Sequence, residues 1–227
     1  MAFDEITTIH LVRHGEVDNP TGVLYGRNPG FHLTSLGHEM AQALGREFSQ
    51  GHDIRLVTAS PLERAVETAT PTAQALGLEV GRDVRLIEAE NKFEGTAIND
   101  NHAILLLPKY WPWYVNPFEP SWGEPYTQIV ERMRGAIIDA LNAARGGEAV
   151  LVSHQLPIWT MRRFIEGKSL AHNPKRRECS LCSVTSLTFV GNQLMSLDYW
   201  EPVAEYLSRA QDMVPGTSQA AEKTSSN

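Results

Sequence analysis

The stretch LVRHGEV (11–17) places Arg13 and His14 side by side at the end of an apolar run and follows them directly with Gly15. The run that leads into the pair, ITTIHLV (6–12), is rich in β-branched and aliphatic side chains, which is typical of a buried strand. A glycine at this position favours a sharp backbone turn. We therefore predict that the arginine and the histidine lie at the carboxyl end of a strand.

The same alternation of strand-like and helix-like segments recurs along the chain. Further strand-like runs are DIRLVTAS (53–60) and EAVLVSHQ (148–155), and helix-like runs are LTSLGHEMAQALGREF (33–48), PLERAVETATPTAQALG (61–77) and ERMRGAIIDALNAARGG (131–147). This pattern predicts an α/β protein with a three-layer, open, mostly parallel sheet and helices on both faces. Two alternating runs, 182–189 and 193–199, predict a hairpin at one edge of that sheet.

A chain of 227 residues suits one large α/β domain, which we expect to cover residues 1–207. Within it, residues 96–126 have no helical or strand period and contain several prolines, so we expect a lid-like insertion. Beyond residue 208 the chain is small and polar, and we expect a disordered tail over 208–227.

Composition argues against several classes of partner. The net charge of −7 is unsuited to nucleic acid or to an anionic membrane surface, since both need clustered Lys and Arg. The amino terminus has no secretory pattern and no apolar run is long enough to span a bilayer, so we expect a cytoplasmic protein. Cys179 and Cys182 form a lone pair without a second zinc-binding pair, which favours two reduced core thiols.

Three predicted strands end in polar groups: Arg13-His14, Ser60 followed by Arg64, and Ser153-His154. We interpret Ser60, Pro61 and Glu63 as a helix start with a Ser-x-x-Glu capping box, which places Arg64 in the first helical turn. The carboxyl ends of parallel strands share one edge of the sheet, where ligands bind. Two arginines and two histidines at that edge predict a pocket for a dianion such as phosphate.

The segments LVRHGEV, TASPLERAVETA and VLVSHQ, in this order, resemble the histidine phosphatase superfamily, the phosphoglycerate-mutase-like or RHG-motif family, over residues 6–199. The resemblance implies that His14 is the nucleophile, that Arg13 and Arg64 hold the phosphoryl oxygens, and that His154 completes the catalytic pocket. A neutral imidazole can attack phosphorus while guanidinium groups hold the equatorial oxygens. No metal and no cofactor are expected, because the side chains supply the positive charge.

The family's general acid is a glutamate after a strand-like run, and RLIEAENKFEG (85–95) offers Glu88 by position. The spacing to Glu94-Gly95 is shorter than the family pattern, and Glu90 remains the alternative. A general acid requires a carboxyl group that stays protonated at the working pH.

Further positions are candidates for substrate binding. Tyr25 and Arg27 lie in a loop that matches the family only in part, where an exposed turn arginine is an equal interpretation. Asn19 lies one position from the family asparagine, and Gln155 follows the second histidine. In the proposed lid, Trp111 and Trp113 either cover the phosphate pocket or simply pack a long loop against the sheet. These candidates are Asn19, Tyr25, Arg27, Gln155, Trp111 and Trp113.

The leading functional hypothesis is a metal-independent phosphomonoesterase whose partner is a small phosphorylated metabolite. A phosphoglycerate mutase is the alternative, although the aromatic KYWPWYVNPF (109–118) does not resemble the charged segment of such mutases. A non-catalytic module that binds phosphorylated ligands is a third hypothesis. The basic residues 175–177 indicate a solvated loop or a site for a second anionic group of the substrate. The oligomeric state, a homodimer included, stays open.

Overall fold

A computed structural model describes residues 5–95 and 123–212, which form a six-stranded sheet flanked by helices. The strands are β1 (Ile6–Arg13), β2 (Ile54–Ala59), β3 (Val80–Arg82), β4 (Glu148–Ser153), β5 (Val184–Val190) and β6 (Gln193–Trp200). The helices are α1 (Ser35–Phe48), α2 (Glu63–Leu76), α3 (Tyr126–Ala143), α4 (Gln155–Ile165) and α5 (Ala204–Leu207), with short 3-10 helices at Val84–Leu86 and Pro174–Arg176.

The sheet has the strand order β3-β2-β4-β1-β5-β6. Strands β3, β2, β4 and β1 pair in parallel, whereas β5 pairs antiparallel with both β1 and β6. The mostly parallel sheet and the edge hairpin are therefore confirmed. Since β2, β4 and β1 are consecutive neighbours, their carboxyl ends emerge side by side.

Apolar side chains pack on both faces of this sheet. Leu11 belongs to the layer that contains Ile129 and Met133 of α3, whereas its neighbour Val12 belongs to the layer that contains Met40 of α1. Successive residues of a strand point to opposite faces, so a strand buried on both sides is apolar at every position. This explains the adjacent apolar residues Leu11 and Val12 before Arg13 and confirms the three-layer arrangement.

The predicted capping box at the start of α2 is wrong. The helix begins at Glu63, and its cap residue, Leu62, makes no side-chain capping bond. Ser60 Oγ lies 2.7 Å from Nε2 of His154, so a side-chain hydrogen bond joins the ends of the neighbouring strands β2 and β4. A tertiary partner thus replaces the local helix cap that the sequence pattern favours.

Two of the expected segments lie largely outside the described residues: most of the lid-like insertion (96–122) and the end of the tail (213–227). Residues 208–212, which we assigned to the disordered tail, are described and pack against the molecule. The Gln211 backbone amide donates to the Glu16 carboxylate, and the Asp212 carboxylate accepts two hydrogen bonds from Arg13. No helix among the described residues combines the length and apolar character needed to cross a bilayer.

Candidate active site

The polar groups at the ends of β1, β2 and β4 meet at one edge of the sheet. The rings of His14 and His154 have centroids 5.2 Å apart, and His154 in turn contacts Ser60. Arg13, His14, Arg64 and His154 are each at most 3 % exposed. The side chains that the sequence grouped together are therefore adjacent and almost completely removed from water.

The His14 imidazole is oriented by its own neighbour. Its Nδ1 lies 2.8 Å from the carbonyl oxygen of Gly15, which can only accept a hydrogen bond. The proton is thus placed on Nδ1, and the lone pair of Nε2 is left for nucleophilic attack. Burial, reinforced by the charges of Arg64 and Arg13, holds the pKa of His14 well below its usual value, so the ring is neutral at pH 7.

Gly15 is required by close packing rather than by an unusual backbone conformation, since it does not adopt a left-handed φ. A Cβ atom at this position would lie 3.0 Å from the backbone oxygen of Gly37 and 3.4 Å from Cys182 Sγ. Its amide donates to Thr68 Oγ1 at 3.0 Å. The expected freedom to turn is therefore not the reason for the glycine; the first turn of α1 approaches too closely for a side chain.

Several buried nitrogen donors in the pocket lack a partner within the described part of the chain. They are Arg13 Nε, Arg64 Nε, Arg64 Nη1 and His154 Nδ1. A buried polar group without a hydrogen bond costs about 1 to 3 kcal/mol, and more when it is charged. Such donors beside a nucleophile form a site that an oxyanion with several acceptor oxygens would satisfy.

The remaining contacts of Arg64 fix its position. It is the second residue of α2, donates from Nη2 to the Gly26 carbonyl at 2.6 Å, and lies over the Tyr25 ring with 4.6 Å between Cζ and the ring centroid. Tyr25 is itself 7 % exposed, and its ring centroid lies 6.4 Å from that of His14. Tyr25 therefore lines the pocket, and its ring packs against the Arg64 guanidinium.

Of the two candidate acids, Glu88 is half-buried and Glu90 is exposed. Burial raises the pKa of Glu88, opposed by a hydrogen bond from the Ala89 amide and by the charges of Arg64 and other arginines. The interaction with Arg64 places the carboxyl group within the electrostatic reach of the pocket. A carboxyl group with a raised pKa retains its proton to higher pH, as a general acid requires.

Arg27 forms hydrogen bonds with the Glu88 segment and with Glu124. Its Nε donates to the backbone oxygen of Glu88 at 2.7 Å, and its Nη2 pairs with Glu124 at 2.9 Å. Arg27 therefore positions the Glu88 segment, a structural task that the loop motif alone did not indicate.

Comparison with known proteins identifies the family to which this chain belongs. The sequence model of the histidine phosphatase superfamily (branch 1) matches residues 9–201. The chain belongs to the histidine phosphatase superfamily.

Individual members of the superfamily are similar over most of their length. The uncharacterized protein Rv0525 of Mycobacterium tuberculosis (strain ATCC 25618 / H37Rv) is 48 % identical over 200 residues, which is 88 % of this chain and 98 % of that protein. Phosphoserine phosphatase 1 of Hydrogenobacter thermophilus (strain DSM 6534 / IAM 12695 / TK-6) is 28 % identical, with 71 % of this chain and 77 % of that protein covered.

Among solved structures, mycobacterial glucosyl-3-phosphoglycerate phosphatase Rv2419c superposes with a TM-score of 0.69 at 21 % identity, covering 86 % of this chain and 98 % of that chain. This likeness shows the phosphoglycerate-mutase-like fold. Proteins that match include phosphatases and phosphoglycerate mutases.

Two further residues lie near the pocket of this histidine phosphatase superfamily member; Asp212 was not predicted, and Arg177 was considered only as part of the basic run 175–177. Asp212 binds Arg13 through both carboxylate oxygens, at 2.6 and 2.7 Å, and lines a cavity of about 320 Å³ together with Asn19 and Tyr25. Arg177, from the basic run 175–177, donates to Gln155 Oε1 at 3.1 Å and interacts electrostatically with the pocket. Asp212 lies in no motif, so only the tertiary fold reveals it, whereas for Arg177 the fold decides between a solvated loop residue and one near the pocket.

The other candidates have separate outcomes. Asn19 closes its own loop through two hydrogen bonds with the Val23 backbone, and Gln155 is buried at the start of α4. Trp111 and Trp113 lie outside the described residues. Both cysteines are free and buried, as expected, and burial raises the pKa of Cys179 to about 11 and that of Cys182 to about 12.

Proposed function

We propose that the protein is a metal-independent phosphomonoesterase that acts on a small phosphorylated metabolite through a phosphohistidine on His14. The observation that carries this proposal is the combination at His14: Nδ1 is held by the Gly15 carbonyl, the His154 ring lies 5.2 Å away, and the charges of Arg64 and Arg13 act on the ring. Arg13, Arg64 and His154 each keep at least one buried nitrogen without a partner within the described part of the chain. A nucleophile with an available lone pair beside a dry, cationic site is suited to phosphoryl transfer.

In the first step, Nε2 of His14 attacks phosphorus, the N–P bond forms and the ester P–O bond breaks. Arg13, Arg64 and His154 donate hydrogen bonds to the equatorial oxygens, whose charge must be held in the transition state. Glu88 gives its proton to the leaving oxygen, which departs as an alcohol. The raised pKa of Glu88 supports this role, and the exposed Glu90 lacks the burial that would favour it.

In the second step, water attacks the phosphohistidine and its proton passes to the Glu88 carboxylate. The N–P bond breaks, inorganic phosphate forms and His14 regains its lone pair. The same two groups thus serve both steps in opposite directions, with Glu88 as acid and then as base.

The substrate class is proposed to carry a second anionic group. Arg177 supports this, because it is half-buried, contacts Gln155 beside His154, and interacts with Glu88 and Arg13. Phosphoserine and glucosyl-3-phosphoglycerate, named for two matching phosphatases, each hold a carboxylate close to the phosphoester. Replacing Arg177 with Gln should raise KM for an alkyl phosphate that also carries a carboxylate. KM for an aryl phosphate with no charged group besides the phosphate should stay nearly unchanged.

The test of the proposed activity is phosphate release from an aryl phosphate in the presence of a chelator. We expect turnover by the native chain, loss of turnover in His14→Ala, and unchanged turnover in the control His32→Ala, whose ring is exposed and pairs with Glu67. Transfer of the phosphoryl group to a second hydroxyl faster than to water would favour the mutase alternative. Phosphate binding without turnover on any phosphoester would favour the binding module.

A further inference from the structure

Two histidines and one glutamate, side chains of the kinds that bind metal ions, meet at the end of the sheet opposite His14. His10 lies within β1, His52 precedes β2 and Glu148 is the first residue of β4. One ligand atom from each lies within 4.8 Å of the others, the only such group of three or more among residues 5–95 and 123–212. We propose that His10, His52 and Glu148 bind a divalent transition-metal ion, with Zn²⁺ as the ion that their donor atoms fit.

The distances support a common centre. His10 Nε2 and His52 Nδ1 each lie 2.7 Å from the same oxygen, Oε2 of Glu148. Zinc binds imidazole nitrogen and carboxylate oxygen at about 2.0 to 2.2 Å, which places neighbouring tetrahedral ligands roughly 3.3 Å apart. Outward movement of each ring by a fraction of an ångström would therefore open room for the ion.

The ring of His10 is held by a second layer of hydrogen bonds. Its Nδ1 lies 2.9 Å from Ser186 Oγ, which also accepts from Trp200 Nε1 at 3.0 Å. When His10 carries its proton on Nδ1 and donates it to Ser186, the lone pair of Nε2 is directed at the proposed ion. Such outer partners fix the tautomer and orientation of metal-binding histidines.

His52 is oriented by aromatic packing and leaves the site accessible. Its ring stacks on Trp200, with centroids 6.3 Å apart and planes within 10°, and meets the edge of Phe48. The side chains of His52 and Glu148 are 23 and 22 % exposed, compared with 5 % for His10. An ion could therefore enter from the His52 side, and water would complete the coordination.

The ligand chemistry is suited to a transition ion rather than to Ca²⁺ or Mg²⁺. Two imidazoles and one carboxylate are ligands that suit Zn²⁺ and related first-row divalent ions. Ca²⁺ and Mg²⁺ prefer oxygen atoms for all of their ligands.

The ion would act on the fold rather than on the chemistry. His10 and His14 are four positions apart, about 13 Å along a strand, so the ion is out of reach of the phosphoryl group. It would join β1, the entrance to β2 and β4, the strands whose carboxyl ends carry His14, Ser60 and His154. This inference is independent of the proposed phosphatase activity.

The test uses the full chain, freed of metal by chelation and dialysis, and titrated calorimetrically with Zn²⁺. Visible absorption after Co²⁺ addition reports the coordination geometry, and the melting temperature reports stabilisation. The variants are His52→Ala, the control His32→Ala, which removes another histidine paired with a carboxylate, and His14→Ala, which removes binding at the phosphate pocket.

We expect one Zn²⁺ per native chain, with the same affinity in His32→Ala and His14→Ala and at least roughly tenfold weaker binding in His52→Ala, since even outer-sphere partners are worth that much. Zn²⁺ should raise the melting temperature of the native chain and not that of His52→Ala. If His52→Ala does not fold, His52→Gln, which keeps a similar size, replaces it. A native chain that takes up no Zn²⁺, or a folded His52 variant that binds it as tightly as the native chain, would overturn the proposal.

Discussion

The imidazole of His14 combines two properties that attack on phosphorus requires. Its hydrogen bond to the Gly15 carbonyl selects the tautomer, and burial beside Arg64 and Arg13 lowers its pKa, which keeps it unprotonated in mildly acidic solution. The same arginines that would hold the phosphoryl oxygens thus maintain the nucleophile in its reactive form. Both effects arise within a few ångströms of one ring.

If Glu88 is the proposed general acid, its replacement should affect substrates with good and poor leaving groups differently. Glu88→Gln cannot protonate the leaving oxygen, so kcat/KM for an alkyl phosphate should fall by roughly 10²- to 10⁴-fold. An aryl phosphate with a good leaving group should be affected much less. The control Glu90→Gln should match the native chain on both substrates, because Glu90 is exposed. Equal losses in both variants would remove Glu88 from the role of acid.

At the scale of elements, the segment after α5 reaches back to the end of β1. Asp212 binds the guanidinium of Arg13 through two hydrogen bonds, and the Gln211 amide binds Glu16, three residues beyond Arg13. A carboxylate on this guanidinium occupies two donors that a phosphoryl group would use. We therefore expect the carboxyl-terminal segment to compete with a phosphoryl ligand for Arg13.

Removing that carboxylate should strengthen phosphate binding. In Asp212→Asn we expect inorganic phosphate to inhibit at a concentration lower by about tenfold, equivalent to about 1.4 kcal/mol. Asp198→Asn is the matched control, since Asp198 lies on β6 and accepts an exposed hydrogen bond from the Ser196 hydroxyl. Competitive inhibition constants measured for the two variants and the native chain decide the question. Unchanged or weaker inhibition in Asp212→Asn would show that Asp212 assists the ligand instead of competing with it.

The contact between α1 and the turn after β1 depends on Gly37. A Cβ atom there would lie 2.2 Å from the backbone oxygen of Glu16. The backbone of α1 or of the turn would have to shift to relieve this clash. We expect Gly37→Ala to lower the free energy of unfolding by about 1 to 3 kcal/mol, as overpacking does. Urea unfolding measures this change.

The matched control is Gly135→Ala in α3. Its added Cβ would meet Arg85 Nη1 at 3.2 Å, the far end of a flexible side chain, and alanine favours the helix by about 1 kcal/mol. Gly135→Ala should be neutral or stabilising. A stability loss of similar size in both variants would indicate that the close α1 contact is not the cause.

At the scale of the whole molecule, the sequence predicted what depends on local periodicity. The two-sided burial of β1 and the edge hairpin around Gly191 follow from apolar patterns, and the meeting of Arg13, Arg64 and His154 follows from parallel strand ends. Contacts that join distant segments could not be predicted this way. The capping box failed because Ser60 pairs with a residue 94 positions away.

The same limit applies to the long-range pairs that the structure adds at both ends of the sheet. Asp212 meets Arg13 across 199 positions, and Glu148 meets His10 across 138. No spacing within a single segment signals such a pair, and a charged residue in a polar stretch is usually a solvated one.

Buried neutral histidines also set how the stability of the whole fold depends on pH. His14 and His154 have pKa values well below the ordinary value, and burial lowers the pKa of His172 to about 4. The unfolded chain binds protons at these rings as pH falls below about 6.5, whereas the folded chain does not. The free energy of unfolding therefore decreases as the pH is lowered. Glu88, with its raised pKa, contributes in the opposite direction and offsets part of this loss.

We therefore expect the free energy of unfolding in urea to decrease between about pH 7 and pH 5. His172→Gln should weaken this dependence. His32→Gln should not, because the hydrogen bond that His32 donates to the Glu67 carboxylate raises the pKa of His32, which stabilises the fold at low pH. A native chain whose stability is flat or rises as pH falls would contradict the protonation states assigned to the buried histidines.

The central claim is that the phosphoryl group passes through His14, and the most direct measurement is to trap it there. Native protein mixed with substrate is quenched in alkali, where a phosphohistidine survives, and the phosphorylated peptide is identified by mass spectrometry. We predict a phosphoryl group on His14, stable to alkali and lost in acid, and none in His14→Ala. A phosphoryl group on another residue, or continued turnover by a folded His14→Ala, would contradict the account.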